Sequence, residues 1–532
     1  MFLQINPLQY NLITLTLRMK FYIFCAALLC TGLYASAQTP DDALRNAWFT
    51  PGGSARSLGI GGAMGSLGGD ISANNINPAG TGLIRTKEVV FSPGFMLNSN
   101  SANYRGTGAN TSGNGFAYGS TGITLGGPTQ GNTFNSFTFS FSFTQLANYN
   151  NHVHYKGTNN LSSYSEQFLE ELARDHASPS AALGNYVFGS SLAYYTYLID
   201  TTVQNGNLVY FGLPSPSTGL TQEVDEVTSG SYNEMSFTFA GGMNDKLFLG
   251  LSLNVPIVNY RRDVTITESD ASGNPNNNFA YSTYNTSLRS SGVGLNFKLG
   301  LIYKVQDNFR LGLAIHSPSF IWYKDKMRAS MITNTEKYLN SPDYPDGTVG
   351  ASSDDFNSGQ PGEVDYQMQT PFKAIASATY LFSPVADPRK QRGFITGDIE
   401  YTGYGGSKFM PYNSNATNDD GYYTTLNSAT SDYLKGNLNV RIGGELKFDP
   451  LAFRAGFGYY SSPYRDAQLK ANRLQLTGGL GYRNHGMFID LAFVETMTKD
   501  VNFPYRLNDK PNTYANITNN RSTIILSIGF KI

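Results

Sequence analysis

Residues 136–144 alternate without a break: Phe137, Phe139, Phe141 and Phe143 interleave with Ser136, Thr138, Ser140, Ser142 and Thr144. Successive side chains of a strand point to opposite faces, so this segment carries phenyl rings on one side and hydroxyls on the other. Rings in such a column meet a second sheet in a sandwich or lipid around a barrel. One strand does not choose between them, but the repetition does. Val293, Leu295, Phe297, Leu299, Leu301 and Tyr303 alternate with Gly294, Asn296, Lys298 and Gly300, and Phe309, Leu311, Leu313 and Ile315 with Arg310, Gly312 and Ala314. Leu438, Val440, Ile442, Leu446 and Phe448 do the same around Arg441, Gly443 and Glu445. These runs are longer than the 5–6 residues usual for a globular strand.

About fourteen such strands are expected, near 88–97, 116–125, 133–148, 232–242, 246–264, 286–305, 308–324, 366–383, 391–406, 435–448, 451–462, 469–483, 486–500 and 519–532. Their connections alternate between short turns, such as Met243-Asn244-Asp245, Asp449-Pro450 and Asn484-His485, and mostly long loops, of which 149–231 is the longest. Short turns on one side and long loops on the other mark an antiparallel transmembrane barrel with both termini at the periplasmic side. The non-apolar faces of consecutive strands collect Arg441, Glu445, Arg454, Arg473 and Asp490, charges of both signs that can pair in a shared lumen. Tyr303, Tyr401, Tyr404, Tyr459, Tyr460 and Trp322-Tyr323 suit interface girdles. The chain ends on Ile524, Leu526, Ile528, Phe530 and Ile532 in alternation, a strand suited to closing the sheet on its first member.

Composition agrees with export into a membrane. Charged residues are 14% of the chain against about 25% in an average soluble protein. Lys+Arg 38 against Asp+Glu 39 leaves a net charge of -1, which offers nucleic acid no electrostatic footprint. Met19-Lys20, the apolar run from Phe21 to Leu29 and Ala35-Ser36-Ala37 read as a secretory signal over residues 1–37, with Met19 a second candidate start. Both cysteines, Cys25 and Cys30, fall inside it, so the exported chain is expected to have no thiol for a disulfide, a nucleophile or a metal. The expected location is the outer membrane of a Gram-negative (diderm) bacterium.

Residues 38–87 do not read as strand. Asp41 to Phe49 can form a short helix, acidic at its start where the helix dipole favours it, and Ser54 to Ala63 and Asp70 to Gly80 follow. A barrel of this width cannot be filled by wall side chains alone, which makes this segment a natural plug for the barrel 88–532. Here the sequence resembles the FadL/TodX family of outer-membrane transporters for hydrophobic compounds. The matching pieces are Ser54-Ala55-Arg56-Ser57-x-Gly59-x-Gly61-Gly62-Ala63, Asn77-Pro78-Ala79, the run from Phe309 to Pro318, and residues 441–464 and 478–494. The resemblance implies a 14-stranded barrel with an N-terminal hatch and short extracellular helices. It also implies passive, hatch-gated diffusion of long-chain fatty acids or aromatic hydrocarbons, with Asn77, Pro78 and Ala79 at the gate. Lateral release at a kinked third strand is a further implication, and here that strand loses its apolar alternation through Gln145, Asn148 and Asn150.

In the long connection, Phe168, Leu169 and Leu172 share a helical face and Leu183 to Ile199 carries Tyr194, Tyr195 and Tyr197. Two such pieces would make a ligand-capture groove, or a lid whose helices pack on each other. Other chemistry is thin. Gly59-x-Gly61 lacks the third glycine of a dinucleotide loop, Gly359 stands where the loop begun by Asp355 needs an oxygen ligand for calcium, and His152 and His154 lack a third ligand. No cofactor, no metal and no enzymatic activity is expected. The expected partners are a hydrophobic small molecule and outer-membrane lipid. A shuttle subunit of a protein secretion machine, with protein partners, is the alternative, and an outer-membrane lipase, without a Gly-x-Ser-x-Gly elbow, comes third.

Overall fold

The computed structural model describes residues 38–129, 133–339, 341–382, 392–413, 421–469 and 471–532, so the expected signal lies outside the described residues. The chain forms a closed 14-stranded antiparallel barrel. Its first strand (87–104, kinked at Ser92) pairs with the second (107–128) on one side. On the other it meets the fourteenth (Ala515–Lys531), from Glu88↔Lys531 to Asn103↔Asn516. The third strand runs Phe134–Asn148 and, beyond Tyr149 and Asn150, continues as Asn151–Asn159. The fourth, fifth and sixth are long: Leu220–Met243, Leu247–Asp270 and Tyr281–Gln306. The seventh, eighth and ninth (309–334, 362–382 and 393–411) are each interrupted once, at residues 317–319, 370–372 and 404–407. The tenth to thirteenth are Gly436–Phe448, Leu451–Tyr460, Asn472–Asn484 and Met487–Asn502. Among the described residues, no helix is long and apolar enough to cross a membrane.

The phenyl face turns out to be the outer one. Phe137 is 50% exposed, while Ser136, Thr138, Ser140 and Ser142 are fully buried in the lumen. Leu249, Leu251 and Leu253, Val293 to Leu299 at alternate positions, and Leu311, Leu313 and Ile315 continue an exposed apolar band around the wall. A lysine or arginine on that band would cost about 2–4 kcal/mol at mid-bilayer, which is why the charges lie on the other face.

Several stretches of strand lie outside the expected bounds. The first and second strands rise past their apolar segments, into 98–104 and 107–115, and parts of 149–231 expected as loop are strand at 151–159 and 220–231. These residues stand above the apolar band, so neither face needs lipid contact and the alternation that reveals a strand is lost. Between them, helices Ser165–Arg174, Pro179–Gly184 and Ser190–Tyr195 and the hairpin of Ile199–Gln204 and Asn207–Gly212 form an extracellular lid. Its core holds Tyr164, Phe168, Leu172, Leu192 and Leu198 against Val264, Ile266 and Met331 of the barrel.

Candidate functional site

The N-terminal segment fills the lumen from the upper end to the periplasmic end. Its first helix, Pro40–Arg45, is capped by Thr39 and Asp42 and ends earlier than the expected Phe49. Leu44 and Trp48 then pack with Tyr323, Tyr366, Met368 and Phe409 of the wall. Arg473 stacks 3.9 Å from the Trp48 ring centroid and donates to the Trp48 carbonyl. Lower down, Ser54 caps helix Ala55–Gly59, and helix Ala73–Ile76 precedes a 3₁₀ turn, Pro78–Leu83. The hydroxyl column of the third strand holds this part. Asn74 Nδ2 donates to Ser140 and Ser142 Oγ (both 2.9 Å), and Asn75 Nδ2 to Thr144 Oγ1 (2.7 Å).

Asn77, Pro78 and Ala79 sit where plug meets wall. Asn77 Oδ1 accepts from the Ala79 amide (3.1 Å) and its Nδ2 donates to the carbonyls of Gly65 (2.5 Å), Leu301 (3.2 Å) and Leu313 (3.3 Å). Pro78 opens the 3₁₀ turn, where its missing N–H costs nothing. This backbone comes so close to the wall that a Cβ at Gly250 or Gly300 would collide with Pro78 or Asn77.

The expected lumen charges are brought together, with partners that the sequence reading did not name. Arg454 bridges Glu445 (2.6 Å) and Asp490 (2.7 Å), all three almost fully buried. Arg441 reaches Glu400 (2.8 Å) and Asp398 (3.4 Å). Arg473 lies apart, with Trp48. The plug joins this network through Arg56, 3.6 Å from Glu445, and through the Gly65 amide, 3.2 Å from Asp398. A buried Lys298–Glu234 pair stands on the opposite wall. Asp398 and Glu400 alternate with Ile399 and Tyr401, so the ninth strand carried a readable signal for them. Arg56 stood in the family motif, but no pattern reports its contact with the wall.

Plug residues 49–52 separate two cavities. The smaller, of about 90 Å³, is lined by Glu234, Lys298, His316, Lys373, Glu400 and Arg441 together with apolar side chains. The larger, of about 770 Å³, runs from Trp48 and Arg45 past Tyr260, Val494 and Arg521 to Tyr118, Gln145 and Asn148.

The larger cavity ends at a discontinuity in the wall. The second and third strands are laddered from Thr121↔Phe143 to Pro128↔Ser136. Above that, Thr107–Tyr118 pairs with the first strand alone and Asn151–Asn159 with the fourth alone. The third strand shifts register between Gln145 and Ala147 and folds inward, so that side chains replace the ladder. Asn98 and Asn100 both donate to Asn151 Oδ1 (2.6 and 2.7 Å), and Asn519 Nδ2 donates to the Oδ1 of each (2.6 and 2.7 Å). Arg521 donates to the Asn148 carbonyl at 3.1 Å. The plug reaches this point too: a Cβ at Gly52 would collide with the Gln145 carbonyl, and one at Gly119 with that of Gly53.

The six candidate capture residues lie in the lid, and none lines the larger cavity. Phe168 and Leu172 are buried beside Tyr164, and Leu169 packs against the same core. The stretch from Leu183 to Ile199 is not one helix. Tyr194 meets Tyr210 edge-on (5.9 Å), Tyr195 is 45% exposed beside Phe356, and Tyr197 lies beyond the helix end at a positive φ of 58°. Among the described residues, no group of three or more His, Cys, Asp or Glu side chains is placed to hold a metal.

A closed barrel with an apolar outer band, a lumen plugged by its own N-terminal segment and a cavity ending at a wall discontinuity defines a plugged outer-membrane channel. The chain belongs to the outer membrane protein transport protein family (OMPP1/FadL/TodX), whose model matches residues 222–531. The fold is similar to that of a Pseudomonas aeruginosa FadL homologue, with 13% identity, 91% of this chain and 99% of that one covered, and a TM-score of 0.53. It is also similar to the P. putida toluene transporter TodX, with 14% identity, coverage of 91% and 99%, and a TM-score of 0.50. No curated protein sequence matches the chain.

Proposed function

We propose that the chain passes hydrophobic or amphipathic small molecules, long-chain fatty acids or aromatic hydrocarbons, inward across the outer membrane by passive diffusion gated by the plug. The observation that carries this reading is the cavity of about 770 Å³ that extends from the upper plug to the unladdered edge of the third strand. Its volume falls in the range of small-molecule sites, and its wall sets apolar groups (Trp48, Leu58, Met96, Val494, Ile517) beside about as much polar surface, including the charged Arg45, Glu226, Arg262 and Arg521, which suits an amphipathic molecule. A molecule in it faces the bilayer at the level of Phe116 and Phe95, which are 64% and 48% exposed on the outer face. Exit there leads into lipid without crossing the charged periplasmic half of the lumen. The plug residues Asn77, Pro78 and Ala79 serve as the gate's anchor, and Phe168, Leu169, Leu172, Tyr194, Tyr195 and Tyr197 shape the lid above the entrance.

Native mass spectrometry of the purified barrel tests the reading. A stoichiometric fatty acid or hydrocarbon is the expected result. A barrel that stays empty after incubation with laurate and with toluene contradicts it.

A further inference from the structure

The outer wall carries a row of cations that neither the lumen nor the lid uses. Arg261 of the fifth strand is directly opposite Arg289 of the sixth, and Arg289 is directly opposite Lys326 of the seventh. All three side chains point outward and are exposed. Positions so paired stand about 5 Å apart, and like charges there repel. One row lower come Asn259, Ser291 and Lys324, and below them Ile257, Val293 and Trp322, the top of the apolar band. Four residues of strand separate Val293 from Arg289, roughly 13 Å along the chain and about 10 Å along the membrane normal at the usual tilt. The cation row therefore stands at headgroup height, above a tryptophan of the girdle.

Acidic neighbours neutralise only the ends of the row. Arg261 pairs with Asp263 (2.7 Å), Lys326 and Lys324 share Glu363 (2.5 and 3.2 Å), Lys324 also approaches Asp365 (3.5 Å), and Arg328 pairs with Asp354. Arg289, between two cations, has no carboxylate partner among the described residues. A sheet that sets three cations side by side and leaves the central one uncompensated is completed by an anion from outside. At this height the available anion is a headgroup phosphate.

We propose that Arg261, Arg289 and Lys326 form a binding site for the phosphate groups of a glycolipid in the outer leaflet. The inference rests on the chain's place in the outer membrane but not on what it transports. The row clamps a phosphate while the acyl chains lie along Ile257, Val293 and Trp322, and this fixes a lipid beside the fifth to seventh strands.

The test uses the full barrel in nanodiscs doped with lipid A bearing both phosphates or with dephosphorylated lipid A, read by native mass spectrometry. The wild type is expected to retain the phosphorylated form at least tenfold better. Arg289→Gln should reduce that preference about fivefold and Arg261→Gln with Arg289→Gln further, as each basic side chain near a charged surface contributes about that factor. Arg289→Lys should keep it, as should Lys499→Gln, an exposed lysine of the thirteenth strand. Equal retention of both lipids, or a double variant as selective as wild type, overturns the site while leaving the channel reading intact. Competition by glucosamine 1-phosphate at the affinity of lipid A would assign the row to a free anion and overturn the lipid. A chain that fails to insert into nanodiscs would overturn the membrane reading itself.

Discussion

Gly300→Ala is a test of the gate made from the wall side. Gly300 faces the lumen beneath the plug, where an added Cβ would lie 2.8 Å from the Ala79 nitrogen, 2.9 Å from Pro78 Cδ and closer still to Asn77 Oδ1. Ordinary contact begins near 3.4 Å, and the obstacle is plug backbone and a short side chain, so the plug must lift. Lifting it breaks the two hydrogen bonds from Asn77 Nδ2 to the wall carbonyls of Leu301 and Leu313, while those with Gly65 and Ala79 lie within the plug and move with it. At about 1 kcal/mol for each buried hydrogen bond, losing both costs about 2 kcal/mol. That is roughly a 30-fold rise in the undocked population. Conductance of single barrels in planar bilayers should show frequent large openings in the variant and rare ones in wild type. Gly478→Ala on the twelfth strand, where a Cβ meets nothing within 4 Å, should behave as wild type. If Gly300→Ala, folded by its heat-modifiable migration, is as closed as wild type, the plug is not held at Asn77.

Three further outcomes follow from the same geometry. Arg454→Met removes the cation shared by Glu445 and Asp490, which keep Arg56 and Arg483, so thermal unfolding should show a loss of about 1.5–3 kcal/mol. Asn98→Ala with Asn100→Ala removes both side chains that donate to Asn151 Oδ1, and amide exchange over 151–159 should quicken at least tenfold while the ladder at 136–143 keeps its protection. Under the lid, near the top of the fifth strand, Glu268 accepts from Ser163, Gln222 and the Tyr164 amide, far above the apolar band, and burial pushes its carboxyl from 4.5 up to about 7. A raised acid is disfavoured in the folded state once ionised, so lid stability should be highest below about pH 4.5, fall as pH rises and level off above about 7. Proteolysis of the lid at pH 5 and 8 should show that difference in wild type and not in Glu268→Gln.

The membrane-embedded part of the fold was legible because lipid enforces it. Each strand facing hydrocarbon must alternate, and Val293 to Leu301 does so without exception. Above the bilayer that pressure ends, and 107–115 (Thr-Gly-Ala-Asn-Thr-Ser-Gly-Asn-Gly) forms strand with nothing in its pattern to say so. The lumen was half legible. Arg441, Glu445, Arg454 and Asp490 were recognisable as polar-face residues, but their grouping depends on cross-strand register, such as Glu445↔Arg454 and Gly481↔Asp490, which alternation alone does not fix. The wall discontinuity left only a trace in the loss of alternation after Phe143. The asparagines that hold it, Asn98, Asn100, Asn151 and Asn519, come from three strands, and no sequence pattern links them to one another.

The central claim, passage through the wall between the second and third strands, is open to one direct measurement. A Cβ at Gly115 would lie 2.7 Å from Asn150 Nδ2, so Gly115→Cys with Asn150→Cys places two thiols across the discontinuity. Described residues contain no other cysteine, which leaves this pair as the disulfide to form. Uptake of a fluorescent alkyl carboxylate into proteoliposomes should stop on oxidation and return on reduction, with wild type indifferent to both. Uptake that continues unchanged through the oxidised, cross-linked barrel would contradict the account.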